Sequence, residues 1–419
     1  MSFLVKLSFK NLFRHKLRTF VSIVAIAFSV MIVVFAKGYV NGLVDSTVAD
    51  HIQFNSGHIK VIDHQYRQQE RLLPLNYPVD GFAGEGLDKL LSSLQEIDDV
   101  EMVIPRLKFG ALVSTEEELV TMSGWGVNPD QEIAFTNIQD QLVEGRMVQP
   151  GQLEVVMGTA LLDKLNLRVG DKVTILANTA YSSLTGVTFT IVGRLESGLK
   201  MLNEVVFYLP LDQAQRILYM EDQATEVLVI TKDRELVPEV LPQVKQVLAQ
   251  GGAGERYLAL GYKETSDLVG FMDLAVLIYN YVYIFLVLLA CIVVINTMIM
   301  IVKERTKEIG MMGALGLESK DILVLFLIEG GIMGVIGSLI GSGAGTLLTS
   351  YVAKTGIDFG SALSGFGAEH LISPIIYPVF SAANAIFAFV LGVIVVTIAC
   401  LIPARRAAKL EPTEAMRAG

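Results

Sequence analysis

Hydrophobic residues are distributed along this chain in two distinct patterns. Thr19 to Ala36, Leu274 to Val302 and about Tyr377 to Ala404 carry no charge, and about Ile322 to Val352 carries only Glu329. A membrane-crossing helix needs about 20 predominantly apolar residues, so each stretch predicts one. Past the first stretch the apolar residues thin to Val40, Val44, Val48 and Ile52 with Leu43 beside them. Ahead of the second, Leu268, Phe271, Met272 and Ala275 stand among Glu264, Asp267 and Asp273. Both spacings are helical, which predicts amphipathic helices that continue the first two spans into water as a stalk.

Between the stalks the pattern changes to short β-branched runs bounded by turn residues. Gly57 to Ile62, Val100 to Val113, Leu119 to Val127, Val173 to Ala177, Val187 to Arg194 and Val205 to Leu209 read as strands. Leu87, Leu90, Leu91, Leu94 and Ile97 mark a helix, and Thr159–Leu165, Asp212–Tyr219 and Val237–Leu248 suggest three more. The expected fold is therefore α-helical in the membrane, with four transmembrane helices and a large mixed α/β extracytoplasmic domain inserted between the first and second spans.

In chain order this predicts an interfacial elbow helix over 1–18, then the first span and stalk over 19–54. The outer domain occupies 55–260, and the second stalk and span 261–302. A cytoplasmic segment over 303–321, a third span over 322–353, a short outer loop over 354–376, a fourth span over 377–404 and a tail over 405–419 complete the chain.

Composition and charge sharpen this picture. The chain has 419 residues, 52% hydrophobic and only 18% charged, below the share of about 25% usual in soluble domains. Acids dominate residues 44 to 273 and bases dominate the remainder, within a net charge of −10. An acidic middle between basic ends argues against a nucleic-acid partner and for a water-exposed domain carried on a membrane part. Lys6, Lys10, Arg14 and Arg18 form one basic stripe of the elbow, suited to membrane lipid headgroups. With Lys303 to Lys307 and Arg405 to Lys409 they place both termini in the cytoplasm. A cleaved signal peptide is the rival reading of the N-terminus, but its apolar core normally runs about 7–15 residues, shorter than Thr19 to Ala36. Tyr279, Tyr281, Tyr283, Tyr351 and Tyr377 suit the opposite interface. Both cysteines, Cys291 and Cys400, lie in apolar spans, so the outer domain has no disulfide to report its compartment.

The segment after the second span carries the most specific signal. Arg305, Glu308, Ile309, Gly310, Ala314 and Gly316, followed by Glu329-Gly330 and a glycine-rich span, resemble the signature of the FtsX-like permease superfamily of ABC transporters, which includes lipoprotein-releasing permeases and the macrolide exporter. Gly124 to Pro129, Glu144-Gly145-Arg146, Val169-Gly170-Asp171, Val192-Gly193-Arg194 and the tail from Pro403 to Arg417 resemble further landmarks, so the likeness covers most of the chain. The resemblance implies a non-catalytic permease subunit of a bacterial inner membrane, working with a cytoplasmic ABC ATPase and with a second permease copy or paralogue. It further implies a periplasmic adaptor or a lipoprotein as an outer partner, and mechanical transmission to the outer domain. Lipoprotein release, efflux with an adaptor and outer-membrane channel, and regulation of cell-wall hydrolases or signalling stay open as its purpose.

The residues add their own constraints. No Gly-x-x-x-x-Gly-Lys-Ser/Thr loop occurs, so no cofactor is expected on this chain, and ATP and Mg would act through the ATPase. Asp50, His51, His58, Asp63 and His64 match no metal-ligand spacing and read as solvated polar residues. The run Glu116-Glu117-Glu118 reads as a solvated turn, and no Gly-x-Ser-x-Gly elbow is present. Glu304, Arg305, Glu308, Ile309, Gly310, Met312, Ala314 and Gly316 are the expected ATPase-coupling residues. Ile309, Met312 and Leu315 would enter a groove on the ATPase, Arg305 and Glu308 would set the register, and Ser319 with Asp321 would cap the helix that follows. Glu329 is costly in a span unless it is paired, with Lys303, Arg305 or the ATPase as candidate partners, or lies near the interface and snorkels at the cytoplasmic end. Gly330, Gly334, Ser338 and Ser342, interleaved with Gly337, Gly341 and Gly345, form two rows of small residues that let helices pack closely, between spans or between two permease subunits.

This topology predicts that an alkaline phosphatase fusion after residue 150 is active and that fusions after Lys307 or Gly419 are inactive. Activity at Lys307 would remove the four-span arrangement.

Overall fold

The computed structural model describes residues 8–9, 16–114, 119–360 and 374–410. Lys6, Lys10 and Arg14 of the elbow, the acid run Glu116 to Glu118 and the tail from Glu411 lie outside the described residues. The chain divides into two compact units: Met1–Asp45 with Met272–Ile357 and Ile376–Gly419, and Ser46–Phe271 with Asp358–Ile375.

The first unit is helical. Helix α1 runs Lys16–His51 and continues as a π-helical turn Ile52–Ser56, whose bonds reach five residues back instead of four. Among the described residues, Lys16–Ser56, Val269–Glu304, Ser319–Thr355 and Ala382–Ala408 are long and apolar enough to cross a membrane. The third of these is the packing centre. A Cβ on Gly337 would meet the Ile26 side chain at 2.8 Å, one on Gly341 would overlap the Ala27 carbonyl, and one on Gly345 would meet Val34 at 2.7 Å. That row therefore seats against α1. The other row faces the fourth span: a Cβ on Gly330 would overlap the Cys400 thiol, and one on Gly334 would touch Val396 at 3.4 Å. On the same side Ser342 Oγ donates to the Ala385 carbonyl at 3.1 Å, and Gly392 comes close enough that a Cβ there would overlap Ser338 Oγ. Two rows thus serve two neighbours within one chain, bringing backbones together where lipid removes the usual apolar driving force. Tyr283, expected at the interface, is instead buried in the helical core with Val287, Cys291 and Val294.

The second unit is built on a 10-stranded sheet. Its elements begin with β1 (Ile59–Asp63), α2 (His64–Gln69), α3 (Leu87–Gln95), β2 (Val100–Ser114), β3 (Leu119–Val127) and α4 (Pro129–Thr136). Next come β4 (Leu142–Gly145), β5 (Glu154–Gly158), α5 (Thr159–Leu165), β6 (Lys172–Asn178), β7 (Leu184–Leu195) and α6 (Lys200–Glu204). The unit continues with β8 (Val206–Pro210), α7 (Leu211–Leu218), β9 (Glu226–Thr231), α8 (Val237–Gln250) and β10 (Tyr257–Gly261). Strands β2, β3, β8, β5, β7 and β6 close into a barrel, because β6 pairs with both β2 and β7. Phe109, Met122, Val155, Ile175, Phe189 and Phe207 fill its interior. The other half of β2 leaves the barrel and pairs with β9 in an open wing ordered β10-β1-β9-β2. Helices α3 and α8 cover one face of the wing through Leu90, Leu94, Val240 and Val244.

β-branched content and bounding turns mark β1, β2, β3, β6, β7 and β8 in the sequence, whereas β4, β5, β9 and β10 emerge only in the fold. The remaining helices are α9 (Asp267–Glu304), α10 (Thr306–Ala314) and α11 (Ser319–Thr355), then, after the strand pair β11 (Ile357–Asp358) and β12 (Ile375–Ile376), α12 (Ala382–Ala399) and α13 (Leu401–Ala408).

Gly341→Leu should therefore separate α1 from α11 and destabilise the chain by about 1–3 kcal/mol, the usual cost of overpacking a tight contact. Thermal unfolding of the purified permease checks this, and an unchanged midpoint would mean that the helices do not meet at this glycine.

Candidate functional site

Helix α9 ends at Glu304 because Arg305 leaves helical geometry and Thr306 Oγ1 takes up the Val302 and Lys303 carbonyls, at 3.2 and 2.8 Å. The chain turns and re-forms as α10, which stops before Gly316 in a left-handed conformation (φ +98°) that glycine accommodates without a Cβ clash. Ser319 is the first residue of α11 and Glu318 occupies the cap position without a side-chain capping bond, so the cap expected from Ser319 is not formed, while Asp321 does lie in the first turn.

Arg305 joins these elements. Its guanidinium is buried, donates from Nε to Glu308 at 3.0 Å and from Nη1 to Glu329 at 3.3 Å, and stands over the Phe326 ring at 5.9 Å. Glu329 thus meets its counter-charge within the chain. Glu304 forms an ion pair with Arg18 across to α1. Arg305 and Glu308, expected to set the register on a partner, are bonded to each other here, with Arg305 buried against Glu329 of α11 and Glu308 half-buried.

On the apolar face of α10, Ile309 is buried in the helical core and Met312 packs half-buried on its edge, while Gly310 is buried beside them. The exposed stripe is Lys307, Met311, Ala314 and Leu315, spaced i, i+4, i+7, i+8 along one face, with Met311 52% and Leu315 84% exposed. Leu315 and Ala314 of the expected coupling residues belong to this face, and Gly316 follows it in the open.

The second unit holds a charged group that no sequence pattern singles out. Strand pairing sets Arg106 opposite Glu226 and Lys108 opposite Trp125, with Lys60 two positions along β9 from Glu226 on the same face. Glu226 is 1% exposed and binds Lys60 Nζ at 3.0 Å and Lys108 Nζ at 2.8 Å. Arg106, fully buried, grips Glu132 of α4 with two bonds, at 3.0 and 2.7 Å. Lys108 also lies over Trp125, 4.4 Å from the ring centre. Burial pushes the Glu226 carboxyl up, but Lys108, Lys60 and Arg106 outweigh it and hold the group down to about 2. Burial pushes the Lys108 ammonium down to about 8, since Glu226 offsets that only in part against Lys60 and Arg106. Three of the histidines and acids weighed as metal ligands have separate structural partners and are not freely solvated: His51 bonds Thr265 at 2.7 Å, His58 bonds Thr231 at 2.9 Å, and Asp63, buried, caps α2 by accepting from Gln65.

Two family descriptions match the chain: "FtsX-like permease C-terminal" over residues 280–412 and "MacB-like periplasmic core domain" over residues 19–247. The lipoprotein-releasing system transmembrane protein LolC of Neisseria meningitidis serogroup B is 23% identical over 331 residues, 75% of this chain and 77% of that one. LolE of Haemophilus influenzae, a protein of the same system, is 28% identical over 347 residues, 77% of this chain and 79% of that one. The macrolide export ATP-binding/permease protein MacB of Nitrobacter winogradskyi is 26% identical over 367 residues, covering 86% of this chain but 52% of that longer protein.

Because the Glu226 carboxyl is held far below its ordinary 4.5, its stabilising contribution is complete above that pH and is lost as the pH falls towards about 2. Glu226→Gln should flatten that part of the acid-unfolding profile and cost about 3–5 kcal/mol at neutral pH, since it leaves buried ammonium groups uncompensated. Acid titration of the full chain followed by tryptophan fluorescence checks both, as Trp125 lies against Lys108; identical profiles would mean that Glu226 is not ionised in the fold.

Proposed function

The chain belongs to the FtsX-like permeases with a MacB-like periplasmic core domain, ABC-transporter permeases of lipoprotein-releasing and macrolide-export type, and we propose that it is the membrane subunit that turns cytoplasmic ATP hydrolysis into movement of the sheet unit, in the service of lipoprotein release. ATP and Mg are bound by a separate ATPase, since this chain has no phosphate-cradling loop. The relatives named as lipoprotein-releasing proteins support this purpose, matching about three quarters of both chains. The sheet unit belongs outside the cytoplasm of the bacterial inner membrane and the exposed stripe of α10 inside it, in keeping with the basic residues around α10.

One observation carries the reading: α10 is tied to the spans by a buried ion pair on one face and exposes Met311, Ala314 and Leu315 on the other. A partner seated on that stripe pushes directly on Arg305 and Glu329, and hence on the start of the third span. The absence of slack follows from the burial of Ile309 beneath it, because packed interiors shift between discrete arrangements instead of yielding gradually.

The stripe and the buried face predict opposite phenotypes. Leu315→Glu should leave the permease stable but lose the ATPase on co-purification, or lose permease-dependent ATP turnover. Ile309→Ala should instead cost about 2–5 kcal/mol of stability with the partner still bound. Wild-type binding and turnover in Leu315→Glu would remove α10 as the docking element.

A further inference from the structure

The buried charges of the sheet unit also reach the ends of both stalk helices. Helix α1 finishes in the π turn Ile52–Ser56, closed by the Gly57 amide on the Ile52 carbonyl at 2.8 Å. The next carbonyls, of Gln53 and Phe54, belong to a helix C-terminus that can offer them no helical donor. Arg106 supplies the donors: Nη1 reaches the Phe54 carbonyl at 3.2 Å and Nη2 the Gln53 carbonyl at 3.3 Å. A buried cation at the negative end of a helix is favourably placed, and the bidentate grip on Glu132 prevents the guanidinium from turning away. Phe54 itself is buried with Trp125, Val127 and Ile138 in the sheet unit's core.

The start of α9 is held in a parallel way. Arg67 of α2 donates from Nη1 to the Thr265 carbonyl at 3.2 Å and from Nη2 to the Glu264 carbonyl at 3.0 Å, just before α9 begins. Glu70 anchors Arg67 at 2.6 Å and Lys60 at 3.0 Å. Lys60 in turn shares Glu226 with Lys108, and Lys108 reaches Asn55 of the π turn at 3.5 Å. His51, at the end of α1, closes the circuit on Thr265. One continuous run of charged side chains, from Arg67 and Glu70 through Lys60 of β1 and Glu226 of β9 to Lys108 of β2, therefore ends at each stalk.

We propose that Arg106 and Arg67 are the positioning residues that clamp the two stalk ends to the sheet, so that displacement of the stalks moves the sheet as a single body. This assignment rests on the mechanical reading above and names the residues through which it acts. A cluster needed only for folding would not require two arginines to bind stalk carbonyls. Apolar residues of equal volume often stabilise an interior as well as buried ions do, whereas ions fix geometry through directional bonds.

The test uses the full permease with its ATPase in nanodiscs, Mg-ATP with vanadate as the probe, and spin labels introduced by non-cysteine chemistry because Cys291 and Cys400 are native. The first distance reads each stalk against the sheet unit, through Ala49 with Glu221 for the stalk that Arg106 holds and Gly270 with Glu221 for the stalk that Arg67 holds. The second distance, Glu221 with Lys354, reads the sheet unit against the end of the third span. In the wild type, nucleotide trapping should leave the first distance unchanged and shift the second. Arg67→Ala, whose side chain is part-exposed, and Arg106→Lys, which keeps the charge but loses the planar fork, should broaden the first distance and lose most of the shift in the second. ATP turnover should stay within about twofold of wild type, below the fivefold or greater change that a loss of site-to-site coupling typically brings. Should Arg106→Lys fail to fold, Arg67→Ala alone decides. A wild-type shift that the variants keep in full overturns the clamp and leaves the mechanical reading standing. A wild-type second pair that ignores nucleotide overturns both.

Discussion

A charge removed from water has to meet its counter-charge, and in the helical unit that requirement is met at Arg305 and Glu329. Either group alone would be expensive at its position; together they fix where α10 lies on α11. Several other features depend on that contact. Arg305 must leave the helix to reach Glu329, which ends α9 and begins α10. Its second bond, to Glu308, orients the first turn of α10 and places Ile309 inside. What remains outside is the stripe ending in Leu315. The inward face of the segment is therefore a consequence of an ion pair, and its outward face is what that pair leaves available.

Close helix packing is the second condition. The glycine and serine rows of α11 bring α1 and the fourth span into close contact on adjacent faces, so that a shift at the start of α11 meets two tightly packed neighbours. The sheet unit obtains stiffness by different means. Its barrel is closed by hydrogen bonds through β6, and its wing carries a row of buried charges whose positions follow from strand register: Arg106 faces Glu226, and Lys108 faces Trp125. Strand β2 belongs to both parts, and Arg106 lies where it passes from one to the other. The same side chain can thus brace the sheet and hold the π turn of α1.

Much of this was legible without a fold. Apolar length alone marks four helices able to span a membrane, three of them over uncharged stretches and the remaining one, the third span, interrupted only by Glu329. Spacing at four residues marks both small-residue rows, and β-branched content between turn residues marks most of the barrel strands. The intramembrane acid also stands out, because Glu329 is the single charge in its span. These are one-dimensional signals, carried by composition and period.

Other features required the chain to be folded. Period alone places Ile309, Met312 and Leu315 together as an apolar face, but a helix of nine residues offers several such faces, and the partner of Arg305 selects which one turns inward. Arg106 and Lys108 alternate with Leu107 and Phe109 as residues on a solvated strand face would, so nothing in the sequence distinguishes them from surface charges. Their burial is decided by residues far away along the chain: Glu132 from α4, Glu226 from β9, and the carbonyls that end α1. Pattern along a chain reports what each segment can bury, whereas the identity of a buried charge's partner is a long-range property that exists only once the strands and helices have met.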